Sequence, residues 1–481
     1  MLRVIRKLLI LIHRYLGILL CLLFFTWFVS GIAMIYARGM PALTPESRLE
    51  HLPVLDPSQV RLTPAEALKK TELPFPPAAA MLLQVLSRPA YRFTGPGITT
   101  VFADNGEVLE VNAALAAEAA QLFTGLSSDR LHADGILTSV DQWTIGERRF
   151  LPLHKFKADD AAKTELYVSE LTGEVTLVTT RATRSLAWVA AIPHWLYFEG
   201  LRTKPQAWRH VVLWSSGLGT ISALIGLVLG VIQYRRKRPH IPYTGWMRWH
   251  YITGVVFGII TVTWVFSGFL SMEPWYWASD GGLGEGIPES LQGGELDLAQ
   301  FPAAMLQTAN AKEIEFLTIQ GEPYYRVRTS ERETVLVSAS TLEVRRHPFS
   351  TESLLARVTA VNPDAKILEA KLLDDYDSYY YSFDRRAPLP VLRIKFDDPD
   401  SSWLYVDPQM SRLVYRAHRR ERLQRWIYRG FHSLDFSFWY NKRPLWDIGV
   451  IVLSVGGIVL SLIGIVIAWK RVSRAVVRVL R

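Results

Sequence analysis

Cysteine is almost absent. Cys21 is the single thiol in 481 residues, which excludes disulfides within the chain, thiolate metal clusters and CxxC redox chemistry. Also missing are an H-E-x-x-H helix, a carboxylate–histidine cluster and a nucleophile elbow, so hydrolysis has no support. No flavin or nicotinamide fingerprint occurs. The glycine-rich run 280–294 lacks a following G-K-S/T and reads as a flexible linker, not a phosphate loop. The formal charge is +9, with 54 Lys and Arg against 45 Asp and Glu. Nothing gathers those cations on a soluble face, so nucleic acid is not an expected partner.

Long apolar runs are present instead, in a chain that is 49% hydrophobic. Tyr15–Ala37, Val211–Tyr234, Tyr251–Met272 and Ile448–Trp469 carry no formal charge. Each exceeds the roughly 20 residues needed to span a bilayer, so membrane lipid is an expected partner. Short basic flanks set the orientation. Arg3, Arg6, Lys7 and Arg14 precede the first run. Arg235, Arg236, Lys237 and Arg238 separate the second from the third, and Lys470, Arg471, Arg474, Arg478 and Arg481 follow the fourth. The positive-inside rule then places both termini in the cytoplasm and both long intervening segments outside. The expected organisation is a cytoplasmic N-terminus with the first span over 1–37, an outer domain over 38–207, the second span over 208–234 and a basic loop over 235–247. The third span over 248–273, an outer domain over 274–444, the fourth span over 445–469 and a basic tail over 470–481 complete it. The first apolar run is too long for a signal peptide and reads as an uncleaved anchor.

The chain writes its first span twice. His13, Gly17, Trp27, Ser30 and Gly31 recur as His250, Gly254, Trp264, Ser267 and Gly268, 237 residues later. On a helix the His, the two glycines and the Trp fall within about 40° of one line, and His13 lies roughly 27 Å along the axis from Gly31. A second match pairs H-W-L-Y-F at 194–198 with H-S-L-D-F at 432–436, and carries on to Trp208 with Trp446 and L-I-G at 224–226 with L-I-G at 462–464. Each half thus reads as span, outer domain, outer histidine segment, span. Repeats of the same topology imply a pseudo-twofold axis along the membrane normal. The fold class is a four-helix transmembrane bundle with two α+β extracytoplasmic domains, built by internal tandem duplication.

Within the outer segments, helix candidates stand at 64–70 and 298–309. Alternating runs with turn signals at 99–108 and 165–175 read as hairpins of small antiparallel sheets. The run Tyr376–Tyr381 reads as a strand with one solvated face.

Several of these stretches together resemble one family. They are H-R-Y-L-G at 13–17, D-Q-W-T-I at 141–145, E-L-Y-V-S at 165–169 with T-G-E-V at 172–175, and I-P-H-W-L-Y-F at 192–198. In combination they are similar to the PepSY-associated transmembrane family, over essentially the whole chain. Its members are often called iron-regulated membrane proteins, and some are described as inner-membrane reductases of ferric siderophores carrying b-type haems. The resemblance therefore implies a bacterial cytoplasmic membrane and a ferric chelate or siderophore as electron acceptor.

Four of the eleven histidines occupy repeat-equivalent places at membrane boundaries: His13 with His250, and His194 with His432. A haem in a bundle takes one imidazole on each face, and two-histidine ligation suits electron transfer because no open site remains. The expectation is two b-type haems, the inner on His13 and His250 and the outer on His194 and His432. Gly17 and Gly254 would leave room for a flat macrocycle. His210 is a rival outer ligand, but its repeat partner is Ile448. The remaining histidines have no matched partner and read as solvated or structural. Lacking a nucleotide site, the chain would draw electrons from quinol or another redox protein. The alternative leaves the histidines in the headgroup region and gives the chain no enzymatic role. Its outer domains would then bind a peptide, a protease or another ligand at a sheet edge. The tryptophans near the outer boundary, Trp277 among them, read as an interfacial belt, and Arg202 and Lys204 as cations for an anionic ligand there.

Overall fold

The computed structural model describes residues 2–37, 39–71, 73, 76–235, 239–275, 283–302, 310–330, 333–382 and 386–479. Arg236, Lys237, Arg238, Arg481 and Trp277 lie outside them. The chain forms two compact units. One comprises Met1–Met40, Arg184–Ser279 and Arg420–Arg481, and the other Pro41–Thr183 and Asp280–Arg419.

The first unit holds four helices long and apolar enough to cross a membrane: Leu2–Met34, Pro205–Ile232, Gly245–Leu270 and Leu445–Val479. The first and the fourth run well past the charge-free stretches, through Arg3, Arg6 and Lys7 at one end and Arg471 and Arg474 at the other. Lys and Arg are good helix formers whose long stems let the charge reach water, so charge does not end these helices. Pro205 starts the second at the one position where its missing N–H costs nothing. The first helix packs on the second and fourth, and the third on the same two. Glycines set the close approaches. Gly457 receives the Phe28 ring and Gly456 the Phe257 ring, and a Cβ on either would collide with it. Small residues take this role because lipid offers no hydrophobic drive between helices. Hydroxyls inside the bundle donate to their own helix, as Ser216 does to the Val212 carbonyl (2.6 Å) and Thr261 to that of Phe257 (2.9 Å).

The second unit is built from strands and short helices. β1 (Ala79–Val85), β2 (Arg88–Thr94) and β3 (Ile98–Phe102) form a meander, followed by the helix Ala113–Thr124. A second meander comprises β4 (Leu131–Leu137), β5 (Leu153–Ala158), β6 (Glu165–Ser169) and β7 (Val175–Thr179). After the short strand β8 (Leu283–Gly286), the later segment repeats this order. It has β9 (Glu313–Ile319), β10 (Glu322–Arg328), β11 (Thr334–Ser338) and β12 (Val344–Arg345), then the helix Thr351–Val361. β13 (Lys366–Leu373), β14 (Val391–Asp397), β15 (Trp403–Asp407) and β16 (Arg412–Ala417) close it.

Each long helix is capped by a side chain at its start, Asn112 in one case and Ser350 in the other. Each lays residues one turn apart on its four-stranded sheet. Ala116 and Ala120 meet Phe156, Leu166 and Val168, and Leu354 and Val358 join the core around Ile394, Phe396 and Val406. The two long segments share one sheet. β1 pairs antiparallel with β9, setting Ala80 opposite Phe316 and Leu82 opposite Ile314, and completes seven strands in the order β12-β11-β10-β9-β1-β2-β3.

Several local expectations hold and others do not. The helix at Pro64–Leu68 forms on a capping box of Thr63 and Glu66. The β6–β7 hairpin turns at Gly173, whose φ of 66° is a left-handed value that glycine adopts freely. Residues 283–294 are not a linker. They form β8 and a helix, Ile287–Gln292, in which Ile287 and Leu291 stand one turn apart and bury together with Leu283 of the strand; residues 280–282 lie outside the described chain. The helix expected over 298–309 is a single 3-10 turn, Leu298–Gln300, in its described part; residues 303–309 lie outside it. Tyr376–Tyr381 is a loop and not a strand. The Asp377 carboxylate accepts from the backbone N–H of Tyr379 and Tyr380 (both 2.8 Å), a local bond that competes with strand pairing.

An ion network clamps the shared sheet. The Arg48 guanidinium, on the helix Pro45–His51, donates to Glu174 beside the β6–β7 turn (2.8 Å) and to Glu313 of β9 (2.6 Å). Arg92 of β2 reaches the other Glu174 oxygen (3.0 Å) and the Thr172 carbonyl (2.7 Å). Burial pushes the Glu174 carboxyl up, but the charges of Arg48 and Arg92 outweigh it and hold the group at about 2. A carboxylate depressed from 4.5 to about 2 stabilises the fold fully above pH 4.5 and loses that contribution as pH falls toward 2. Glu174→Ala leaves the buried Arg92 guanidinium without a carboxylate and Arg48 with Glu313 alone, and is expected to cost about 3–5 kcal/mol, read as a lower denaturation midpoint in detergent. Glu174→Gln should remove most of the acid-dependent loss between those pH values.

Candidate functional site

Two pairs of imidazoles meet inside the helical unit. His13 on the first helix and His250 on the third bring their ring centres to 6.1 Å, with planes 36° apart. His13 Nδ1 lies 2.9 Å from the Ser222 carbonyl of the second helix. A carbonyl only accepts, so Nδ1 carries the proton and Nε2 keeps its lone pair. Gly226, one turn beyond Ser222, makes this reach possible. A Cβ there would stand 2.7 Å from His13 Cε1. His250 Nδ1 is buried with no hydrogen-bond partner among the described residues, an unmade bond worth about 1–3 kcal/mol.

The second pair is carried by short helical segments beside the spans, Ala191–Trp195 and Phe431–Ser433. The His194 and His432 ring centres are 6.0 Å apart and their planes cross at 63°. His194 Nδ1 contacts Ser30 Oγ at 3.1 Å and His432 Nδ1 contacts Ser267 Oγ at 2.9 Å. Each serine hydroxyl already donates to its own helix, Ser30 to the Thr26 carbonyl (2.7 Å) and Ser267 to that of Trp264 (2.9 Å). The hydroxyl oxygens therefore accept from Nδ1–H, and both rings again turn an unprotonated Nε2 to other uses. Burial first, then the neighbouring His432, pushes His194 down to about 3, and burial lowers His432. Both rings are neutral near pH 7, the state a metal requires of imidazole.

The backbone around these rings is held in matching ways. Leu196 (φ 54°) and Leu434 (φ 51°) take the left-handed conformation just beyond each outer histidine. Trp208 Nε1 donates to the Trp195 carbonyl (2.8 Å), and Trp446 Nε1 to that of Leu434 (3.0 Å), tying each segment to the start of the next span. Beside the outer rings lies a cavity of about 530 Å³ walled by Trp27, Trp264, Trp208, Trp446 and Tyr428, with Gly31 and Gly268 on its lining. A Cβ on Gly31 would meet only His194 Cε1, at 3.6 Å, and one on Gly268 nothing within 4 Å.

The other expected positions fall differently. A Cβ on Gly17 would touch nothing within 4 Å, and one on Gly254 only Leu460, at 3.8 Å, so the space beside both is open. His210 is exposed on the second spanning helix and lines no part of the cavity. His154 pairs with Glu170 at 2.9 Å, and His418 with the Ser402 hydroxyl at 2.8 Å, as structural residues do. Arg202 lies over the Tyr197 and Trp208 rings at 4.9 and 4.7 Å. Sequence reasoning missed Ser30, Ser267 and Gly226. All three stand inside the repeated blocks, so the signal was present.

Chemically, each pair offers two neutral donors. Two imidazoles ligating one metal from opposite sides have ring centres about 6 Å apart, from a metal–nitrogen bond of about 2 Å plus the depth of each ring. Among the described residues no group of three or more His, Cys, Asp or Glu converges, so each pair brings two protein donors together and no third. Leu for Ser30 or Ser267 removes the acceptor of an outer Nδ1–H, and the titration of that imidazole, followed by ring-proton NMR of a truncation-free, detergent-solubilised protein, should differ from the wild type.

A comparison with curated proteins found no match. A family model described as "PepSY-associated TM region" matches residues 10–471. That span reaches into all four apolar helices and includes both histidine pairs, and the chain belongs to the PepSY-associated transmembrane family.

Proposed function

We propose that this chain is a dihaem b-type electron-transfer protein of a bacterial cytoplasmic membrane. The observation that carries the reading is the pair of histidine couples at 6.1 and 6.0 Å, with Nδ1 engaged on three of the four rings and no hydrogen bond to their Nε2 atoms among the described residues. His13 and His250 would hold one haem, and His194 and His432 the other. Bound there, haem would supply a one-electron couple. The protein's own part is orientation. The Ser222 carbonyl and the Ser30 and Ser267 hydroxyls set the ring tautomers, and the cavity surrounds the outer pair with tryptophan rings.

The basic flanks argue that both termini are cytoplasmic and the strand-rich unit periplasmic. The matched order of elements in the two segments supports an internal duplication with its axis along the membrane normal. Electrons would enter from quinol or a redox protein and leave to a ferric chelate, with a siderophore as the favoured class. One electron converts Fe(III) to the softer Fe(II), which oxygen-donor chelators hold less well.

A second reading has one observation in its favour. β13 is an edge strand that exposes Leu368 and Leu372, and such an edge can accept an extended peptide or a protease segment. In that case alanine at His13 and His250 would leave ligand binding intact.

Pyridine haemochromogen analysis of protein purified from haem-replete cells tests the proposal. Two haems per chain are expected, and one in His13→Ala, His250→Ala, His194→Ala or His432→Ala. A well-folded wild type without haem ends the proposal. Gly226→Ala, which crowds His13 and leaves the outer pair alone, should lower the haem content toward one per chain.

A further inference from the structure

The strand-rich unit contains a cleft of about 640 Å³ that the redox reading does not use. One wall is the sheet edge at β10–β12, which contributes Arg326, Arg328 and Arg345, with Arg346 and His347 just beyond. The opposite side is the helix Pro45–His51 and the β15–β16 turn, which contribute Glu46 and Asp407. Four arginines thus face two carboxylates, and both carboxylates are engaged. Glu46 is paired with Arg386 at 2.6 Å, and Asp407 accepts from the Gln409 backbone N–H at 2.8 Å.

The arginines divide into two groups. Arg326 pairs with Glu315, and Arg328 with Glu313 at 3.5 Å. Arg345 and Arg346 have no acidic partner among the described residues. The Arg345 guanidinium lies over the Phe349 ring at 3.8 Å, which holds the planar fork in place. Its Nε is buried without an acceptor among the described residues. A buried donor left unmade is costly, and this one, beside the cleft, marks where an acceptor belongs. Leu49, Leu336 and Met410 add apolar surface to the same lining.

We propose that this cleft binds a small organic anion whose carboxylate or phosphate groups engage the forks of Arg345 and Arg346. The volume is that of a pocket for a small molecule, and planar guanidiniums recognise both kinds of anion through paired hydrogen bonds. The proposal stands whether or not the chain carries haem.

Isothermal titration calorimetry on the full-length protein in detergent at low salt tests it, with citrate as the carboxylate probe and pyrophosphate as the phosphate probe. One site per chain is expected for at least one of them, and the stronger probe names the anion class. The double variant Arg345→Ala/Arg346→Ala should weaken binding by about 10- to 100-fold. Arg148→Ala/Arg149→Ala removes the same charge from exposed positions outside the cleft and should leave affinity unchanged. Because Arg345 packs on Phe349, Arg346→Glu at an exposed position serves as a variant that keeps the fold, and it should weaken binding at least as much as the loss of one fork. The proposal is overturned if neither probe binds the wild type in the millimolar range, or if both double variants lose affinity equally.

Discussion

An imidazole buried in a helical membrane unit has two nitrogens to satisfy and no water to satisfy them. That constraint organises this molecule. His13, His194 and His432 each commit Nδ1 to a fixed oxygen, a carbonyl in one case and serine hydroxyls in the others. The serines are themselves tied to their own helices, so each hydrogen bond has one direction and each ring one tautomer. Burial keeps the two outer rings neutral. What remains is a set of unprotonated Nε2 atoms on rings set in pairs about 6 Å apart, the separation that two imidazoles on one metal require.

The rest of the helical unit follows from holding those rings. The first and third helices each carry one inner histidine and, seventeen residues on, the serine that receives an outer one. A shift of either helix along its axis would disturb both pairs together. Gly456 and Gly457 seat Phe257 and Phe28, which fixes the heights of the third and first helices against the fourth. The outer histidines sit on short segments held by Trp208 and Trp446. Shape packing and directed hydrogen bonds therefore set the site jointly.

Much of this was legible in the sequence. Four charge-free runs foretold four helices, and the doubled His-Gly-Trp-Ser-Gly stripe picked out the histidines that meet. The serines were visible in the same stripe, but their role was not, because a serine three or four residues past a carbonyl most often bonds only its own helix. Gly226 was hidden for a similar reason, since glycines are frequent in membrane helices and only contact with His13 distinguishes this one. The fusion of the two strand-rich segments through β1 and β9 rests on pairing between residues more than two hundred positions apart, which local alternation does not encode. Residues 283–294 misled because their glycines drew attention from Ile287 and Leu291, whose spacing is one helical turn. Tyr376–Tyr381 misled because aromatic composition suggested a strand while Asp377 closed a turn.

Each histidine pair is proposed to hold one haem. Low-temperature electron paramagnetic resonance of the oxidised, haem-replete protein reads this directly, because ferric haem held by two imidazoles would give a low-spin signal. Two low-spin centres are expected, one of which disappears when His13 or His250 is replaced and the other when His194 or His432 is replaced. A single centre that survives all four substitutions, a high-spin signal from an open coordination site, or no haem signal in folded protein would contradict it.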